Sequence, residues 1–404
     1  MKTVTAVLCT FLFSLLSLGF GTPALADRYT GPGVTETEIR IGQTAPYSGP
    51  LSAYGAIGRA QAAYFRMLND KGGINGRKIR FVSLDDAYNP AKTVEHTRRL
   101  VELDDVLLIF NSVGNATNHA VRKYLNAKKV PQLFLGGGDS AWGDYKSYPW
   151  TMGWMPTYRA EGRLYARHIL KTRPGAKIGV LFSNDDYGRD YLKGFREGLG
   201  EAGAKMIVAE QSFEWADPTV DSQIVSLKAS GADTLFAATA GRQATQAIQK
   251  AWNIGWRPAW YSAVPATSPK AILGPAGLEK SVGMISAYYA KDPTQTQWKD
   301  DPAIKDYYAW AKSYFDGDAD DGIATYGYQL AQALEHVLRA CGDNLSRENV
   351  MKVATSLRNV EFPMLLPGVK INTGPADYYP IRQFQMQRFD GAFWIPFGDL
   401  VTED

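Results

Sequence analysis

Few residues in this chain are placed for catalysis. Its four histidines are His96, His119, His168 and His336. None stands in an H-E-x-x-H pattern, which would set two imidazoles and a base on one helix face. The two cysteines, Cys9 and Cys341, form neither a metal cluster nor a disulfide framework. No G-x-S-x-G elbow offers a nucleophilic serine. Acids are plentiful, so a secreted hydrolase using a carboxylate pair is the enzyme reading that stays open. The doublets Asp85-Asp86 and Asp185-Asp186 are expected to cap helices or face water. The stretch "FLGGGDSAWGD", Phe134 to Asp144, brings three glycines together with an acid, a hydroxyl and an indole. Glycine suits places where backbone must approach another group closely. A phosphate is excluded as that group. The loop lacks G-x-G-x-x-G and G-K-[ST], and Asp139 would repel it. No catalytic residue, metal or cofactor is expected.

Residues suited to binding cluster instead at the ends of apolar runs. Tyr54 follows "QTAPYSGPLSAYG". Gly114, Asn115, Ala116 and Thr117 open a helical pattern, where free N–H groups and the helix dipole favour an anionic or carbonyl oxygen. Gly137, Gly138, Asp139 and Ser140 form the glycine loop. Tyr187 follows "KIGVLFSND", and Arg242 with Gln243 follows "DTLFAATA".

These positions need a scaffold that brings strand ends together. Apolar runs at 39–45, 79–85, 106–112, 131–137, 177–185, 233–240 and 259–264 alternate with helical patterns. One such helix starts at Asn89-Pro90, a good N-cap followed by a good first helical residue, and shows Ala91, Val94, Leu100 and Val101 as its apolar face. Another repeats Leu330, Leu334, Val337 and Leu338 at helical spacing. Strands alternating with helices predict an α/β protein with parallel sheets flanked by helices. In such sheets ligands sit beyond the carboxyl ends of the strands. Two blocks, 39–157 and 158–285, each suit one domain, and 404 residues suit two. After about 286 the order changes. Helices at 302–315 and 323–341 precede strand-like "PGVKINT" and "RQFQMQRF", so later segments are expected to complete earlier sheets.

The net charge of +3 indicates no nucleic-acid partner. Lys2, an apolar run over 7–20 and "TPALA" ending at Ala26 read as a secretory signal peptide, residues 1–26. Export to the periplasm by a cleaved signal is therefore expected.

The segments "IGQTAPYSGPLSAYG…NDKGGINGRKIRFVSLDDAYNPAKTVE", "VGNATNHAVRKYLNAKKVPQLF", "KIGVLFSNDDYGRDYLKGFREGLGEAGAK" and "ATYGYQLAQALEHVL" resemble periplasmic solute-binding proteins of the leucine/isoleucine/valine-binding type, which serve ABC transporters. The resemblance implies two Rossmann-like lobes joined by a three-strand hinge, with the ligand in the interlobe cleft. It implies an N-terminal lobe of 38–157 plus 286–365 and a C-terminal lobe of 158–285 plus 366–404. It implies a monomer that captures a small molecule and passes it to a membrane permease. By the same resemblance Tyr54, Tyr187 and Tyr326 present rings to the ligand, Gly114 to Thr117 hold its carboxylate, and Gly137 to Ser140 form a second gripping loop. The family's disulfide positions are Tyr88 and Val113 here. Amino-acid binders of the family carry an acid after "WY-x-x" that pairs with the ligand ammonium. Here that place reads "WYSAV", with Val264 near it. An unpaired ammonium in a closed cleft is costly. An aromatic or other apolar carboxylate, paired with Arg242, is therefore the expected ligand. An amino acid is the alternative, if Asp139 or Asp185 takes the ammonium.

Overall fold

The computed structural model describes residues 28–403, and the expected signal peptide lies outside them. The first sheet is wholly parallel. Its strands are β1 (Glu38–Ala45), β2 (Lys78–Asp85), β3 (Leu108–Phe110), β4 (Gln132–Leu135) and β5 (Thr151–Gly153), in the order β2-β1-β3-β4-β5. β3 and β4 are buried throughout, as strands covered on both faces must be. The second sheet contains β6 (Ile178–Ser183), β7 (Ile207–Phe213), β8 (Thr234–Ala238), β9 (Ala259–Ser262), β10 (Ile285–Tyr288), β11 (Gln383–Phe389) and β12 (Trp394–Thr402). Their order is β12-β11-β10-β9-β8-β6-β7, and β11 and β12 run antiparallel to their neighbours.

Helices cover both sheets. In the helix Gly322–Ala340, Leu330, Leu334, Val337 and Leu338 are fully buried, as their spacing predicts. Burying each contributes about 1.5–3 kcal/mol. This helix packs on Gly55–Asp70, where Tyr64 meets Tyr328 edge-on at 5.2 Å. In the second lobe the helices Tyr158–Thr172 and Asp186–Gly203 lie so close that a Cβ on Gly194 would stand 2.0 Å from the Arg159 carbonyl oxygen. Pro90–Glu102 starts as predicted, with Asn89 accepting from Ala91 and Lys92 N–H. Its buried face is Thr93, Thr97 and Leu100, whereas Ala91 is exposed. Thr93 Oγ1 donates to the buried Asp86 at 2.8 Å, and that bond turns a polar stripe inward.

The chain crosses between lobes three times: after β5, after β10 and before β11. The crossing points correct two expected boundaries. β10 spans the boundary set at 285/286 and belongs to the second sheet. Leu366, Val369, Ile371, Tyr378 and Ile381 pack in the first lobe's core, although 366–404 was expected in the second. "PGVKINT" forms only an isolated bridge, Val360 to Ile371. Cys341 is free and buried just past the helix Gly322–Ala340. His168 is half-buried and 2.8 Å from the Tyr261 hydroxyl.

Candidate ligand-binding cleft

The strand ends of both lobes converge on one interlobe cavity. Its wall is largely aromatic. Tyr54, Tyr88 and Tyr326 come from the first lobe, Tyr187 and Trp215 from the second, and Tyr158, Tyr288 and Tyr289 from the crossings. The rings support one another. Tyr187 meets Tyr158 at 4.9 Å and Trp215 at 5.7 Å, both edge-on, and Tyr88 meets Trp215 at 5.9 Å. The Tyr187 hydroxyl donates to the Thr239 carbonyl, so the ring is held from behind. Tyr54 spans the cleft and donates to the Pro265 carbonyl at 2.6 Å. Burial pushes the hydroxyls of Tyr54, Tyr88, Tyr158 and Tyr187 up, so all stay protonated.

Polar groups enter this wall at Ser268, Lys291, Asp292 and Gln387, and at one helix end. The helix Asn115–Ala127 begins there, and its N-cap residue, Gly114, has no side chain to cap the first N–H groups. Gly114 precedes it with φ 109°, and a Cβ at that position would stand 2.3 Å from the Tyr88 ring. Glycine is thus required by both conformation and space. Asn115 lines the cavity, is 1% exposed, and has an Nδ2 without a hydrogen-bond partner. A helix N-terminus beside an unpaired amide donor suits a carboxylate or carbonyl oxygen.

Of the predicted site residues, Tyr54, Gly114, Asn115, Tyr187, Val264 and Tyr326 line this cavity. The others do not. Ala116 lies one residue deeper in the helix, and Thr117 Oγ1 donates to the Val113 carbonyl. Gly137 and Gly138 leave room for protein: a Cβ on either would strike Asn115 Oδ1 or the Pro156 carbonyl oxygen. Gly136 faces the cavity instead. Asp139 accepts from His119 and the Ala141 N–H. Ser140 reaches the second lobe, where its N–H and hydroxyl donate to Asp190 at 2.9 and 2.7 Å. Burial raises Asp190 to about 6, against the pull of these two bonds. Arg242, expected to pair with a ligand carboxylate, is exposed, donates to the Asp217 carbonyl and does not line the cavity. The first turn of the helix Gly241–Asn253 aims that side chain at solvent.

The acids are likewise accounted for. Asp85 ties down Tyr47, Ser48 and Ala87. Asp185 caps its helix and accepts from Trp215 Nε1 at 2.7 Å. Neither Asp139 nor Asp185 lines the cavity. Val264 does, and its backbone N–H donates to Glu161 at 2.8 Å. Glu161 is buried beneath the wall and also accepts from Tyr165 and Tyr191. Burial pushes its carboxyl up to about 7. The wall acid that sequence reasoning missed is Asp292, which accepts from the Thr294 N–H and hydroxyl. No local pattern marks it, since it lies just past a crossing.

The fold has counterparts among known proteins. The model of the periplasmic binding protein family matches residues 38–392. Leu/Ile/Val-binding protein homolog 7 of Brucella abortus (strain 2308) is 25% identical over 281 residues, covering 67% of this chain and 69% of that protein. A branched-chain amino acid ABC transporter structure from Thermus thermophilus with bound valine superposes with a TM-score of 0.82 at 16% identity, covering 92% of this chain and 98% of that one. A fatty acid ABC transporter substrate-binding protein from Thermomonospora curvata gives 0.78 at 22% identity, covering 93% and 95%. With two α/β lobes, three crossings and a cavity between them, the chain belongs to the periplasmic binding protein family.

Proposed function

We propose that this protein is an exported receptor for a small apolar carboxylate, aromatic by first choice, which it delivers to the membrane permease of an ABC importer. The observation that carries this reading is the composition of the wall: rings from both lobes surround an uncapped helix N-terminus. Val264 stands where amino-acid binders of the family carry an acid. The rings supply apolar contact, and the helix N-terminus takes the carboxylate. Both lobes contribute, so ligand binding favours the closed arrangement by differential affinity. The receptor works as a monomer, and the ligand-binding residues are Tyr54, Gly114, Asn115, Tyr187, Val264 and Tyr326, joined by Tyr88, Tyr158 and Trp215. Asp292 favours a second reading, an amino acid whose ammonium pairs with that acid.

A thermal-shift series with phenylacetate, hexanoate, phenylacetamide and L-leucine separates the two. Carboxylate capture predicts stabilisation by phenylacetate or hexanoate and little by the amide, with a saturating ligand adding a few kcal/mol. Stabilisation by L-leucine alone, lost in Asp292→Asn, replaces the first reading with the second.

A further inference from the structure

Outside the cavity, the lobes also meet at a cluster of donor atoms. We propose that His119, Asp139 and Asp186 form a binding site for a zinc-class divalent cation that bridges the two lobes. His119 lies on the first-lobe helix Asn115–Ala127, and Asp139 begins the turn Ser140–Gly143 in the same lobe. Asp186 is the first residue of the second-lobe helix Asp186–Gly203. His119 Nε2 stands 2.8 Å from Asp139 Oδ2 and 3.8 Å from Asp186 Oδ2, and one donor atom from each residue lies within 4.8 Å of the others. Tetrahedral zinc with ligand distances near 2.0–2.1 Å sets neighbouring donors roughly 3.3 Å apart. The observed separations bracket that value, so small side-chain rotations complete the geometry.

The surroundings hold the donors in place. The Trp142 ring packs 4.4 Å from the imidazole. Asp139 Oδ1 is occupied by the Ala141 N–H, which leaves Oδ2 facing His119. Such outer contacts are what orient metal ligands. Two carboxylates supply the charge a cation needs and Asp190 adds a third nearby, while the Arg122 guanidinium lies 5.3 Å from the Trp142 ring centre and interacts with Asp139. Asp186 and His119 keep 60% and 29% of their side chains exposed, which opens a path for the ion. An imidazole with two carboxylates selects zinc and similar late first-row ions over magnesium or calcium, which prefer oxygen alone. None of the three residues lines the ligand cavity. Because the donors come from both lobes, the ion binds only when the lobes are together, and it therefore favours closure and slows ligand escape.

The test uses zinc alone, on untagged protein stripped of metal, so its result does not depend on the identity of the organic ligand. Calorimetry should show one saturable zinc site, and small-angle scattering should show zinc shifting the protein toward the compact form. Asp186→Asn and His119→Ala should each weaken zinc binding by about tenfold or more. Asp186→Asn is an exposed change, so its unliganded melting temperature should match wild type. Magnesium and calcium should produce neither effect. The proposal is overturned by the absence of saturable zinc binding up to about 100 μM, well above the range of a built site, or by unchanged zinc affinity in both variants. Zinc that binds without compacting the protein would overturn the bridging role.

Discussion

Tyr187 and Ser140 both stand in the first helical turn after a strand, and both belong to contacts between the lobes. Their surroundings are opposite in character. Around Tyr187 the contact is made mainly of rings, beside the start of the helix Asn115–Ala127. Around Ser140 it is made of charge and hydrogen bonds: two donors meet Asp190, and His119 sits between Asp139 and Asp186. Ring contacts tolerate varied ligands and reward burial, whereas charged hydrogen bonds fix distance and angle. On the proposed function, one region accepts the ligand, and the other sets how the lobes meet.

Substitutions can break that division of labour. The largest effect is expected from Tyr187→Ala. Losing a buried ring costs about 3–5 kcal/mol of stability. It should also weaken binding of the phenylacetate probe by more than about 1 kcal/mol. Denaturant unfolding and calorimetry read the two losses. Tyr187→Phe keeps the ring and should retain most of both, and an equal loss in the two variants would show that the Thr239 bond matters more than the ring.

Next in size is a pH dependence under the cavity. Glu161 binds its proton more tightly in the folded protein, at about 7, than the ordinary carboxylate value of 4.5. Its contribution to stability is therefore full below pH 4.5 and is lost as pH rises through about 7. A shift of this size corresponds to roughly 3 kcal/mol. Unfolding free energies measured from pH 4.5 to 8 should fall in wild type relative to Glu161→Gln. Parallel curves would assign the slope to other groups.

Ser140→Ala should cost less. Asp190 keeps the Ser140 N–H and loses one hydroxyl bond, about 1 kcal/mol. The loss should fall equally on every ligand, because it acts on lobe closure and not on the cavity. A change in preference between phenylacetate and its amide would place Ser140 at the ligand. Arg242→Ala should change affinity by less than about 0.5 kcal/mol, as an exposed residue outside the cavity. A selective loss for phenylacetate would mean that this arginine reaches the carboxylate after all.

Much of the scaffold was legible before the structure. β1, β2, β4, β6, β8 and β9 are compact apolar runs bounded by turns, and helix starts such as Asn89-Pro90 have local chemistry. β7 was missed because it is an edge strand whose residues are mostly half-buried, so its apolar pattern is weak. β12 was missed because Pro396, Gly398 and Asp399 interrupt it, which an outer antiparallel strand tolerates. The site was legible in part for a related reason. Tyr54, Gly114, Asn115, Tyr187, Val264 and Tyr326 reach the cavity, whereas the glycine loop serves packing and the lobe contact.

The amino-acid sequence by itself determined the alternation of strand and helix, and with it the strand ends where binding residues must lie. Those features depend on neighbours a few residues apart, and periodicity and capping encode such neighbours directly. Only the tertiary structure decided which strand-end residues face the cavity and which face the other lobe. The direction of Arg242, the turn of Ser140 toward Asp190, and the meeting of His119, Asp139 and Asp186 all depend on how three crossings set one sheet against the other. No local spacing carries that rotation.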